Sequence, residues 1–191
     1  MSGPADVVGF ASHNGDGTVL VEYTPTASGV YEMDVEVDGM PIIGSPFSPL
    51  AVPGVTFGSS SSAEGHGLTD AMAGVEDYFV VQARDLNGNT KQTWQEDDVL
   101  TIWLEVDVDV EDEHGVLVNE VQVVWGNYTS IGDGQYACRY TATVAKEHLL
   151  YIEINGEPII DSPFRPLVVP APMDGPHSIA TGTGLLGTVA G

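Results

Sequence analysis

Cations are scarce in this chain. Five Lys and Arg stand against 28 Asp and Glu, for a formal net charge of −23. Nucleic acid and anionic bilayer surfaces must be met by cations facing phosphate, so both are excluded as partners, and basic protein partners are favoured instead. Cysteine is nearly missing too. The single Cys138 has no second thiol in the chain to bridge to, which fits a reducing compartment. No apolar run is long enough to span a bilayer, so no membrane insertion is expected. Residues 1–6 (MSGPAD) carry neither the basic region nor the apolar core of a secretory leader. No segment sustains a 3.6-residue period, which removes the all-helical classes.

What the chain does contain is a repetition. Residues 39–53 (GMPIIGSPFSPLAVP) return as residues 156–170 (GEPIIDSPFRPLVVP), offset by 117 positions. The offset holds without a gap from Gly15 to Gly74, matched to Gly132 through Gly191, with 26 identities in 60 positions. This is an internal repeat. Residues 1–53 are therefore expected to be the C-terminal half of one repeat, 54–171 a complete repeat, and 172–191 the first strand of a following one. A chain opening inside a repeat reads as a piece of a longer array, so its N-terminus carries no word on where the parent is targeted.

Strand patterning runs throughout. Val19, Val21 and Tyr23 share one face after the turn at residues 14–17, where Asn, Asp and Gly tolerate the positive φ of a tight hairpin. Tyr31, Met33, Val35 and Val37 alternate with Glu32, Asp34, Glu36 and Asp38. In the complete repeat Phe79, Val81 and Ala83 point inward. Leu100, Ile102, Leu104, Val106, Val108 and Val110 form the core face of the next strand, opposite Thr101, Trp103, Glu105, Asp107 and Asp109. Leu117, Val121, Val123 and Trp125 share one side of the strand after that. Tyr136, Cys138 and Tyr140, then His148, Leu150, Ile152 and Ile154, repeat the inward positions of the first unit. Residues 59–62 read as a linker or a poorly ordered first strand. About seven short strands with turns between them predict an all-β, immunoglobulin-like antiparallel sandwich. Without the missing strands, residues 1–53 are expected to leave Val19, Val21, Tyr23, Met33 and Val35 uncovered. Phe47 and Phe164, in the repeated Ser-Pro-Phe, are expected to plug the end of the sandwich.

Taken together, NGDGT at 14–18, YTPT at 23–26, Tyr31 and GSPF at 44–47 resemble the closing half of a filamin-type immunoglobulin repeat. Gly65, Gly67, Leu68, the strand end at residues 83–85 and the turn Gly88-Asn89 resemble its opening half. The resemblance implies tandem repeats that serve as rods and docking platforms, often on the actin cytoskeleton, and hence a cytoplasmic, cytoskeleton-associated parent. It also implies partners that add a peptide strand beside the third strand, in the groove shared with the fourth. This sequence departs from the pattern at His148 in place of Tyr31, Thr-Ala-Thr143 in place of Thr-Pro-Thr26, and Asp161 in place of Gly44. Its period of 117 also exceeds the usual size of such a domain, and the surplus falls at residues 107–119.

Chemistry finds little to work with. The five His are scattered without zinc spacing, and Cys138 on an inward face reads as a small core residue. Residues 182–187 (GTGLLG) match a dinucleotide-binding pattern but lack the strand before and helix after it, and read as coincidence. Asp107, Asp109, Glu111, Asp112 and Glu113 have hard-cation ligand chemistry, yet the calcium-loop spacing fails and alternation with valine reads as a solvated strand face. Asn127-Tyr-Thr129 is a glycosylation sequon that matters only in a secreted parent. No catalytic constellation and no cofactor site emerge, so no enzyme is expected. Trp103 stands on the polar face of its strand, where either a partner or a neighbouring repeat must cover it. The expected function is therefore a scaffolding module that docks proteins by strand addition at residues 99–106. Val99, Thr101, Trp103, Glu105 and Asp107 form the contact face, and the acidic residues prefer a basic peptide. The alternative is an extracellular adhesion or recognition ectodomain at the cell surface. A third arrangement has the surplus segment fold back on that edge and close it.

Overall fold

Period-two patterning folds as strand throughout. The computed structural model describes residues 1–91, 98–173, 175–182 and 185. Among them the only helical turns are short 3-10 segments at Gly58–Ser60, His66–Leu68 and Gly175–His177.

Six short strands come first: β1 (Phe10–His13), β2 (Val19–Glu22), β3 (Gly29–Val30), β4 (Glu36–Val37), β5 (Met40–Pro41) and β6 (Leu50–Ala51). They pair as β1 with β2, β3 with β6 and β4 with β5. The β1–β2 turn is tied by Asp16, whose carboxylate accepts from the Thr18 N–H at 2.9 Å and the Thr18 hydroxyl at 2.6 Å. Apolar side chains here stay open to solvent: Val19 and Val21 are 47% and 42% exposed, while Tyr23, Met33 and Val35 are half-buried. Ser2 and Glu32 exchange backbone hydrogen bonds of 2.9 and 2.8 Å, so the chain's beginning lies along part of the strand-like run at residues 31–37.

Ten strands then build a sandwich: β7 (Ser62–Glu64), β8 (Asp70–Met72), β9 (Asp77–Gln82), β10 (Leu100–Glu111), β11 (Leu117–Trp125), β12 (Asn127–Gly132), β13 (Gln135–Tyr140), β14 (Leu149–Ile154), β15 (Glu157–Pro158) and β16 (Leu167–Val169). One sheet has the order β11-β10-β14-β15, the other β12-β13-β9-β7. Both are antiparallel, but β16 lies parallel to β8, a pairing the strand pattern did not foretell. Between the sheets lie Phe79, Val81, Ala83, Leu100, Ile102, Leu104, Tyr136, Cys138, Tyr140, Leu150, Ile152 and Ile154, all at most 5% exposed. Those are inward residues expected from alternation, but Val108 and Val110, expected on the same core face of β10, are only half-buried because the hairpin overhangs the core there.

A single glycine links the sheets. Gly126 ends the run of β11 and turns the chain into β12, and its N–H donates to the Ile102 carbonyl at 2.9 Å. A Cβ there would sit 2.6 Å from Ile102 Cγ2, so only glycine lets the strand cross this closely.

The repeated motif adopts one hydrogen-bond scheme twice. Ser45 Oγ accepts from the Val35 N–H at 3.0 Å, and Ser162 Oγ accepts from the Ile152 N–H at 2.9 Å. Phe47 exchanges backbone bonds with Met33, as Phe164 does with Leu150. Phe164 is partly buried against the core, whereas Phe47 is 37% exposed, with no facing sheet over it among the described residues. The stretch at 59–62 is an ordered part of the fold, contrary to the linker expectation. Ser61 is fully buried, its hydroxyl donating to the Phe57 carbonyl at 2.7 Å and accepting the Arg84 N–H at 3.0 Å.

Candidate functional site

The surplus segment makes a long hairpin. β10 and β11 pair from Trp103↔Trp125 to Glu111↔Leu117, and the tip is held by Asp112, whose carboxylate accepts from the N–H groups of His114 and Val116 at 2.8 Å each. With β14 on its other side, from Leu100↔Ile154 to Glu105↔Leu149, β10 is an interior strand. The expectation of an open edge at residues 99–106 is therefore corrected. Register gives the reason. Asn155 N–H bonds to the Val99 carbonyl and Gly126 N–H to that of Ile102. Odd residues of β10, including Thr101 and Trp103, thus spend their backbone groups on β14, and even residues spend theirs on β11. The fold-back of the surplus segment is not what fills that edge: residues 122–125 of β11 lie opposite 103–106, whereas residues 107–111 pair with 117–121 and extend the hairpin away from residues 99–106.

Side chains of the anticipated residues do share a face. Val99, just before β10, is 58% exposed, and Thr101, Trp103, Glu105 and Asp107 all point outward from the sheet. Trp103 is covered from its two neighbouring strands. It stacks on Tyr151 with centroids 4.8 Å apart and planes at 7°, and meets Trp125 at 6.2 Å and 41°. Three aromatics thus cross three strands in one row, an arrangement that stabilises cross-strand pairs and supplies a rigid contact surface. The Trp103 indole N–H donates to Glu105 Oε1 at 3.0 Å, which fixes that carboxylate beside the row. Beyond it Asp107, Asp109 and Glu111 continue outward along β10.

Among the described residues, β11 carries no further strand on its outer side. Its outward side chains are Leu117, Val121, Val123 and Trp125, 67%, 58%, 43% and 68% exposed. Since even residues of β11 bond β10, these odd residues also aim their N–H and C=O groups at the unpaired side. Tyr151, Trp125, Val121 and Val123 were not singled out as site residues by pattern alone. The signal available was symmetry: a hairpin closed by Glu111 and Leu117 sets Trp103 opposite Trp125.

Other candidates resolve locally. The Cys138 thiol is fully buried and pushed up to about 12 by burial, so it stays protonated and donates weakly to the Tyr136 carbonyl at 3.5 Å. Asn127 and Thr129 are exposed. Much of the GTGLLG run lies outside the described residues.

The profile of the Filamin/ABP280 repeat matches residues 3–48 and again 55–165. This chain belongs to the filamin repeat family. It is 30% identical over 166 residues to Filamin-C of Rattus norvegicus and, to the same extent, of Mus musculus. The match covers 81% of this chain but only 5% of those much longer proteins. Among solved structures, the filamin domain of Lin-41 is 19% identical with a TM-score of 0.42, covering 62% of this chain and 97% of its own. The Escherichia coli adhesin FdeC is 18% identical with a TM-score of 0.55, covering 88% of this chain and 49% of that one. That last likeness concerns the fold. Filamin repeats are structural, interaction-mediating modules, and the immunoglobulin-like sandwich described above is of that kind.

Proposed function

We propose that this chain is a scaffolding segment of a longer filamin-like array, built as a half repeat at 1–53, a complete repeat at 54–171 and the opening of another at 172–191. It spaces and docks protein partners, in a parent associated with the cytoskeleton. Docking proceeds by strand addition, at β11 rather than at β10. The observation that carries this reading is the free edge of β11, where unpaired backbone groups lie beside four exposed apolar side chains. Trp125, Trp103 and Tyr151 provide the anchoring surface. Glu105, Asp107, Asp109 and Glu111 beside them select a partner strand carrying Lys or Arg, and salt weakens the complex. An extracellular adhesion role is the second reading, favoured by the exposed sequon at Asn127.

The test uses a peptide alternating Val or Ile with Lys or Arg. Bound peptide is expected to slow amide exchange at Val121, Val123 and Trp125 and to spare β7 and β9. Val123→Pro removes a donor that faces the open edge while leaving the β10–β11 ladder intact, so it abolishes binding in a protein that still folds. Peptide affinity that survives both Val123→Pro and Trp125→Ala rules out this edge.

A further inference from the structure

Among the described residues, three of the five buried polar side chains cluster at one end of the sandwich, away from the aromatic row: Asp85 (3% exposed), Lys91 (3%) and Asp98 (9%). All three engage the segment that leads in from the first repeat. Asp85 Oδ2 accepts the Gly54 N–H at 2.8 Å, and Asp98 Oδ2 accepts the Thr56 hydroxyl at 2.8 Å. Lys91 Nζ donates to the Gly54 carbonyl. Phe57 N–H adds a backbone bond to the Arg84 carbonyl at 2.9 Å.

Asn89 extends the grip into the body of the first repeat. Its Nδ2 donates to the Thr26 carbonyl at 2.8 Å, and its Oδ1 accepts the Ser28 N–H at 2.9 Å. A side-chain amide carries a donor and an acceptor on separate atoms, so it can meet a carbonyl and an N–H side by side. Asn89 is itself held in place. Asp85 accepts from both its backbone N–H and its Nδ2, and also from the Asn87 N–H, so the loop at 85–89 is organised before anything docks on it. Asp98 is tied in the same way to Asn155 and Tyr136, which connects the socket to the turn after β14 and to β13.

We infer that the loop at residues 85–89, with Lys91 and Asp98, is a socket for the preceding repeat, which receives that repeat's loop at 25–28 and its connecting strand and holds the two repeats as one rigid body. The contact reads only backbone groups of Thr26 and Ser28, so it recognises the shape of the loop rather than its side chains. A flexible tether would leave Asn89 and Asp85 pointing into water. A fixed joint sets the angle at which successive docking faces are presented, a property separate from what binds to β11.

Amide exchange and ¹⁵N relaxation on the full chain test this. The Ser28 N–H is expected to be protected and the two repeats to share one tumbling time. Asn89→Ala should speed exchange at Ser28 about tenfold, on the order of one lost hydrogen bond, and split the tumbling times. Protection of Phe79 and Val81 must persist, which certifies the fold. If Asn89→Ala unfolds the loop, Asn89→Asp gives the second reading, since it retains the acceptor for Ser28 but turns a carboxylate oxygen on the Thr26 carbonyl. Unprotected Ser28 in the unaltered chain, or tumbling times that already differ, overturns the inference. So does an Asn89 variant that leaves both unchanged.

Discussion

At the scale of single residues, His148 is a buried position where the two copies of the repeat differ. Its counterpart Tyr31 is buried and donates its hydroxyl to the Ala27 carbonyl at 2.7 Å. His148 is as deeply buried, donates Nδ1–H to the Lys146 carbonyl at 3.0 Å, and leaves Nε2 without a partner among the described residues. Burial depresses its pKa below the ordinary imidazole value, although the Lys146 bond works the other way. The sign follows. The folded state holds a neutral ring while the unfolded chain takes up a proton near pH 6.5. Stability is thus fully present above about pH 6.5 and falls as pH drops from there toward the lower folded value. Melting of the sandwich between pH 7.5 and 5 should show that loss, and His148→Leu should flatten it. The Lys146 carbonyl keeps its bond from the Val168 N–H in that variant, so little is sacrificed at neutral pH. A pH profile identical in the two proteins would count against His148 as its source.

Two further substitutions belong at this scale. Gly126→Ala places a methyl group against Ile102 where the chain changes sheets, and should cost about 1–3 kcal/mol as overpacking. Phe164→Ala opens the end of the core and should cost about 3 kcal/mol. Arg165→Ala removes only the exposed 3.0 Å pair with Glu147 and should leave the denaturation midpoint unmoved. Equal midpoints for the last two would deny the Ser-Pro-Phe motif a core role.

At the scale of elements, alternation carried most of what was legible. Inward residues of β9, β10, β13 and β14 follow from period two alone, because a half-buried strand must segregate its faces. Neighbour relations do not follow from it. Residues 99–106 look the same in sequence whether they lie at an edge or between two strands, since ladder partners are backbone groups and leave no mark on side-chain choice. The aromatic row was half legible for the same reason: Trp103 stood out on a polar face, but Tyr151 and Trp125 gained meaning only once register brought them beside it. β11 misleads differently. Its apolar residues occupy the outward face, and the inward face carries Glu120 and Gln122 among valines, since the hairpin overhangs the core. At this scale, Trp103→Ala should loosen the row and expose Trp125 further, read as a red shift in its fluorescence. Tyr151→Ala should do less, because it leaves the Trp103–Trp125 pair standing.

At the scale of the whole molecule, the repeat predicts dependence of one part on the other. Residues 1–53 alone, with Val19, Val21, Phe10 and Met40 exposed and no facing sheet among the described residues, should not melt cooperatively as a monomer. A sharp calorimetric transition from that piece would refute this. Polarity is built in as well. Gln82 pairs with Gln135 and Asp77 with Tyr140, so the socket at 85–89 and the loop at 142–145 lie at opposite ends of the sandwich. That loop is the counterpart of residues 25–28, and it presents a carbonyl at Thr143 and an N–H at Ala145 as its earlier copy does. A tandem chain with a second copy of residues 54–171 placed directly after Pro170, the counterpart of Pro53, should therefore protect the Ala145 amide. Exchange at Ala145 unchanged by the added copy would confine the joint to the first pair.

The parallel pairing of β8 with β16 bears on load. β8 lies near the start of the sandwich and β16 near its end, joined by bonds such as Leu167 N–H to the Thr69 carbonyl at 2.8 Å and Ala73 N–H to that of Val169 at 2.9 Å. Tension drawn along the array pulls these two strands in opposite directions along their common axis. Their hydrogen bonds are then strained side by side and must fail together, rather than opening one after another like a zipper. The short stretch that closes the repeat is thus also its mechanical lock.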